Sequence, residues 1–304
     1  MAPATLAVAS GKGGVGKTTV TAGLALSLAQ QLSRKHRKVA AVDLDLGGGN
    51  LNTCLGVSRP NGSIEDFLLQ RVEDLNSLWS STALDNLRLI SGSYQSPETV
   101  RLSDTACRRL YSHLGRLEDE AILLDLGAGA SREVLESFVK AGQRLLVVAP
   151  EALSLHNGYL FIKRAVFHHL LSELRQEEFL LPVFQRLQQI LRQDAGARLE
   201  EILDRVKAWD RYSGYILAGL LDDFQLNWVI NMYKGNEEER SISKFEALIR
   251  RQFDFRCLGR IEFDRRFSKS VNNIRPFLLD HPDSRAARSL GKVSSRLFAR
   301  GAVS

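Results

Sequence analysis

Long apolar runs, paired cysteines and a dominant charge sign are all missing from this 304-residue sequence, and each absence excludes a class of protein. No stretch approaches the 18 or so uncharged apolar residues that a membrane-crossing helix needs. The three cysteines, Cys54, Cys107 and Cys257, are far apart and odd in number, which argues against a disulfide framework and a Cys-x-x-Cys metal site. The six histidines show no ligand spacing. His168 and His169 are adjacent and would diverge by about 100° on a helix. Nothing at the start reads as a secretory leader, so reducing cytoplasm is the expected setting. Internal repeats and low-complexity linkers are missing too, so residues 1–304 are expected to form a single domain. With 41 basic and 35 acidic residues the net charge is +6, a mild excess. It permits contact with an anionic surface without requiring it, and nucleic acid is not an expected partner.

What is present is alternation. Short runs rich in Val, Ile, Leu and Ala predict strands at Leu6–Ser10, Val39–Asp43, Leu87–Ile90, Ala121–Asp125, Leu145–Ala149, Trp228–Asn231 and Phe253–Leu258, with helical stretches between them. This is the pattern of an α/β fold, a mostly parallel sheet with helices on both faces. Ligands of such sheets bind beyond the carboxyl ends of the strands. Residues 154–222 break the alternation with helical periodicity and no clear strand, and predict a helical insertion.

Between the first strand and the helix predicted from Val20 to Gln30 lies Gly11-Lys-Gly-Gly-Val-Gly-Lys-Thr-Thr19. It satisfies the phosphate-loop pattern G-x-x-x-x-G-K-[ST] in the required strand–loop–helix context. Gly11, Gly13, Gly14, Val15 and Gly16 would turn backbone N–H groups around a phosphate. The following helix offers its own N–H groups and dipole to the same anion. Lys17 would reach the β- and γ-phosphates, and the Thr18 hydroxyl would complete a Mg²⁺ shell, with Thr19 beside it.

The early lysine, Lys12, makes this stretch resemble the deviant Walker A motif of the MinD/ParA family of P-loop ATPases. The resemblance implies that Lys12 crosses a dimer interface to the phosphates of a second subunit, so that ATP binding and homodimerisation go together. It covers roughly residues 5–150 and 225–285. Asp43 and Asp45, two residues apart after a strand, resemble the family's first switch. The resemblance implies that Asp43 positions the attacking water and Asp45 supports Mg²⁺, with Asn50 near the water or γ-phosphate. Ala121–Asp125 with Gly127 and Gly129 resembles a Walker B strand and second switch, closest to the FlhG/MinD-like branch. Asp125 would hold Mg²⁺ and Gly127 would approach the γ-phosphate. Val148-Ala-Pro-Glu resembles T-x-P-E with the threonine replaced. Asn231 matches an asparagine that reads adenine. Leu258-Gly-Arg-Ile-Glu-Phe-Asp resembles G-x-I-P-x-D, with Glu262 in place of proline and Asp264 retained.

These implications add up to a cytoplasmic, Mg²⁺-dependent ATP hydrolase that dimerises on ATP as a positioning or assembly switch, with a protein activator or cargo as a further partner. Residues 284–300 predict an amphipathic C-terminal helix with Ala286, Leu290, Val293 and Leu297 on one stripe and Arg288, Lys292, Arg296 and Arg300 beside it. Such a helix either docks on the sheet as an ordinary last helix, which Gly291 and the modest apolar content favour, or meets an anionic bilayer, which makes the inner membrane face a candidate surface. The basic run Arg34–Lys38 reads as a solvated face. Two other functions use the same loop: an ATP-dependent small-molecule synthetase or amidoligase, and a metallocluster carrier, which would need bridging cysteines. A tyrosine autokinase would need a tyrosine-rich tail, and none follows Arg285.

Overall fold

β1 (Ala4–Ser10) is buried over its last five residues and becomes the spine of an eight-stranded sheet. The other strands are β2 (Val39–Leu44), β3 (Ser80–Ser81), β4 (Leu87–Ile90), β5 (Ala121–Ala128), β6 (Gln143–Val148), β7 (Asn227–Tyr233) and β8 (Arg256–Glu262). They lie in the order β3-β4-β2-β5-β1-β6-β7-β8. All neighbours are parallel except β3 and β4, which are antiparallel. The computed structural model describes residues 3–92, 104–194 and 198–298.

Alternation along each strand sends side chains to two separate cores. Ala7, Ala9, Leu124 and Leu146 face one that includes Phe138, Phe161 and Trp228. Leu6, Val8, Leu123 and Leu145 face the other, filled from the helix Lys17–Leu32 and the C-terminal helix Arg285–Phe298. Register aligns Val8 with Asp125 and Asp43 with Asp125, so the phosphate loop and both aspartate-bearing strand ends leave the sheet side by side.

Between β6 and β7 the described residues form four α-helices, Ala152–Leu174, Leu181–Gln193, Leu199–Trp209 and Arg211–Asp222. Leu187, Ile190, Ile202, Val206 and Leu217 from them join the first core, so they are packed onto the sheet layer.

One expectation is corrected and one open alternative is decided. The last strand runs Arg256–Glu262, not Phe253–Leu258. Phe253 belongs to the core and stacks on Phe255 ahead of the strand, while β8 itself carries Arg256 and Arg260. An apolar run marked where burial begins, not where pairing begins. The C-terminal helix does not offer its stripe to a membrane. Ala286, Leu290, Val293 and Leu297 are at most 5% exposed. Leu290 lies against Gly23, where a Cβ would come within 2.7 Å of its Cδ1. Arg296 donates to the Leu258 carbonyl at 2.7 Å and fixes the helix to the edge strand. Arg300 lies outside the described residues. No described helix is long and apolar enough to cross a membrane.

Candidate nucleotide site

The loop after β1 turns through Gly14 at φ 81° and Gly16 at φ 77°, a region side-chain-bearing residues rarely adopt. Gly16 also has a neighbour: a Cβ there would lie 2.3 Å from Asn231 Nδ2. Gly13 and Gly14 face open space, so ligand can approach their backbone. Gly16 caps the helix Lys17–Leu32 without a side-chain hydrogen bond, and the first turn holds no acidic residue. The helix N-terminus therefore keeps donors for an anion. Thr19 Oγ1 donates to the Gly16 carbonyl at 2.7 Å, and the buried Val15 carbonyl accepts from Asn231 Nδ2 at 2.9 Å.

Lys17, only 6% exposed, is the cation at the centre. Its Nζ lies 3.0 Å from Asp125 Oδ1 and 4.0 Å from Asp45 Oδ2. Thr18 Oγ1 is 3.5 Å from the same Nζ. Thr21, one turn on, donates to Asp125 Oδ1 at 2.8 Å and to the Lys17 carbonyl. Thr21 was not singled out in the sequence. Its position four residues after Lys17, on the same helix face, was the available signal. Asp125 is fully buried and its Oδ2 has no hydrogen-bond partner among the described residues.

The two aspartates at the end of β2 differ sharply. Asp43 has no exposed surface, and accepts from the N–H groups of Asp45 at 3.0 Å and Leu51 at 3.1 Å. Gly49 and Gly92 press against the carboxylate; a Cβ on Gly49 would lie 2.4 Å from Oδ2. Burial, then the nearby Asp125 charge, raise the Asp43 carboxyl from 3.8 to about 7, against the pull of the two N–H groups and Lys17. Asp45 is half-buried and lines a cleft of about 390 Å³ with Leu46, Gly127, Ser131 and Glu133, beyond the ends of β2 and β5. A side chain on Gly127 would reach toward Asp45 Oδ1.

Lys12 is half-buried and makes no ion pair among the described residues. Asn50 is not brought into the site: it is exposed and donates to the Gly48 carbonyl of its own turn at 2.7 Å. Asn231 stands at the other end of the loop, against a second cavity of about 360 Å³ that also meets Gly14, Gly16 and Asp264. Asp264 is held by Arg266 at 2.6 and 2.9 Å.

The donors fit Mg²⁺. Thr18, Asp125 and Asp45 offer hard oxygens, and Asp125 Oδ2 is a buried acceptor with nothing to accept from. The neighbouring Cys54 is no competing soft ligand, because burial pushes its thiol up to about 12.

Comparison with known proteins agrees with this geometry. The chain is 32% identical over 173 residues to the antiactivator FleN of Pseudomonas aeruginosa, covering 56% of this chain and 59% of that protein. It is 34% identical over 152 residues to the septum site-determining protein MinD of Helicobacter pylori, covering 50% of this chain and 54% of that one. The matched region thus spans between half and three-fifths of these relatives. The fold is that of the cell division ATPase MinD of Pyrococcus furiosus (TM-score 0.64, 21% identity, 97% of this chain and 98% of that one). MinD in the MinC:MinD complex of Aquifex aeolicus is similar too (TM-score 0.65, 20% identity, 98% and 97%). Residues 6–277 match the CbiA nucleotide binding domain, and the chain belongs to that CobQ/CobB/MinD/ParA family.

Proposed function

We propose that this chain binds ATP with Mg²⁺, hydrolyses it, and pairs with a second copy of itself while ATP is bound, acting as a positioning or assembly switch. The observation that carries the reading is the buried Lys17, held between Asp125 and Asp45 at the mouth of an uncapped helix N-terminus. A cation balanced between two carboxylates can leave them for phosphate oxygens once a metal takes over the carboxylate charge. Bound Mg²⁺ would neutralise charge developing on the β- and γ-oxygens. Thr18 and Asp125, through Oδ2, are the side chains to hold it.

The water-positioning role goes to Asp45 rather than Asp43. Asp43 is sealed by Gly49, Gly92 and two backbone N–H groups, so it shapes the turn and has no room for water. Asp45 faces an open cleft and lies 4.0 Å from Lys17. Phosphoryl transfer needs positioning more than covalent help, and a half-buried carboxylate beside the γ-phosphate end of the loop can orient a water. Lys12, whose side chain makes no ion pair among the described residues, is available to the phosphates of a second copy. Asn50 can join only if its turn rearranges.

Similarity to FleN and to MinD supports a positioning role, and a related MinD from Pyrococcus horikoshii is described with Mg-ADP. The partner is a protein activator or cargo, in the cytoplasm or peripheral to the inner membrane. Any membrane contact has to use something other than the buried stripe of the C-terminal helix.

Phosphate release from ATP tests the chemical half. Asp45→Ala should still bind a fluorescent ATP analogue with Mg²⁺ but hydrolyse about 100-fold more slowly. Equal turnover by wild type and Asp45→Ala would overturn the assignment, and no turnover by the wild type with Mg²⁺ would overturn the hydrolase.

A further inference from the structure

The cavity of about 360 Å³ that opens past Gly14 and Gly16 has a composition of its own. Its apolar lining is flat: Phe263, 45% exposed, and Phe267, stacked on Phe277 with ring centroids 3.6 Å apart, with Met232 beside Asn231. Such surfaces suit a planar heterocycle. Its charged lining residues are Glu262 and Asp264, and no lysine or arginine lines it. Asp264 is occupied by both arms of Arg266. Asn231 has one amide hydrogen engaged by the Val15 carbonyl, which leaves its second N–H to donate and its oxygen to accept. Glu262 has only Arg285 for an ion pair among the described residues, at 3.7 Å, on a side chain that is 79% exposed. Ser268 and Asn272 also line the cavity and can donate as well as accept, so what distinguishes the base position is Glu262, a carboxylate not clamped as Asp264 is.

Adenine offers one amino group flanked by ring nitrogens that are themselves acceptors, and a carboxylate beside those lone pairs is repelled. Guanine offers N1–H and the 2-amino group side by side, a donor pair that matches both oxygens of one carboxylate. We infer that this cavity accepts guanine at least as readily as adenine, with Glu262 as the residue that recognises the base, so that GTP is a substrate beside ATP. The inference rests on the reading that the phosphate loop holds a nucleoside triphosphate.

The test is equilibrium titration of the full chain with ribose-labelled fluorescent ADP, GDP and IDP in the presence of Mg²⁺. Wild type should bind GDP at least as tightly as ADP. IDP, which keeps N1–H and lacks the 2-amino group, should bind more weakly than GDP. Glu262→Gln, which replaces one acceptor with a donor, should move the ratio toward ADP by about tenfold. Lys17→Ala should weaken ADP and GDP alike. A wild-type preference for ADP of tenfold or more, or an unchanged ratio in Glu262→Gln, overturns the role of Glu262 and leaves the phosphate loop intact. If the wild type binds none of the three, the phosphate-loop reading falls and this one falls with it.

Discussion

At the scale of single residues, the site depends on backbone that only glycine supplies and on carboxylates whose environments differ. Gly16 combines a positive φ with a contact to Asn231, so Gly16→Ala adds strain and a clash at once. It should abolish nucleotide binding in a titration while Gly13→Ala, with open space around it, costs far less. Asp43 gives a pH signature. Its folded value, raised from 3.8 to about 7, means that the ligand-free native chain keeps a proton that the unfolded chain has released. The native state then binds more protons across that window, so stability from this group is complete below about pH 4 and is lost as pH rises through about 7. Urea midpoints of the ligand-free protein should fall over that range, and Asp43→Asn should flatten the slope. A wild-type midpoint unaffected by Asp43→Asn at every pH would contradict the buried state of this carboxyl. The glycine turn and its buried lysine were legible in the sequence because the glycines and lysine occur at fixed spacing. The different surroundings of Asp43 and Asp45 were not. Two carboxylates at i and i+2 look equivalent until the turn through Gly49 closes over one of them.

At the scale of elements, the strands were legible wherever both faces are buried, because an uninterrupted apolar run has no other soluble use. The edges were not. β3 is two serines, too short and polar to signal, and β8 mixes Arg256 and Arg260 with Leu258 and Ile261. The C-terminal helix shows the same limit in another form. An amphipathic stripe reports that one face avoids water, and both a bilayer and a protein core meet that need. Here Gly23 lets Leu290 approach closely, and the core takes the stripe. Leu290→Ala should therefore destabilise the fold by about 2–5 kcal/mol, measured by denaturant midpoint. Lys292→Ala, exposed on the other face, should stay within about 0.5 kcal/mol. Comparable small effects from both would mean that the helix is not docked as described.

At the scale of the whole molecule, the register of β1, β2 and β5 gathers the loop, Lys17 and three aspartates at one end of the sheet. Among the described residues the Lys12 side chain makes no ion pair there. A single copy thus carries the glycine turn, the buried Lys17 and the cleft-facing Asp45, and among the described residues gives the Lys12 side chain no ion pair. The central claim is that a second copy completes the site when ATP is present. Solution mass by size exclusion with light scattering, in ADP and in a non-hydrolysable ATP analogue, tests it most directly. A monomer is expected with ADP, a dimer with the analogue, and loss of that dimer in Lys12→Ala with nucleotide still bound. A wild type that stays monomeric with the analogue bound, or a Lys12→Ala variant that dimerises as well as wild type, would contradict it.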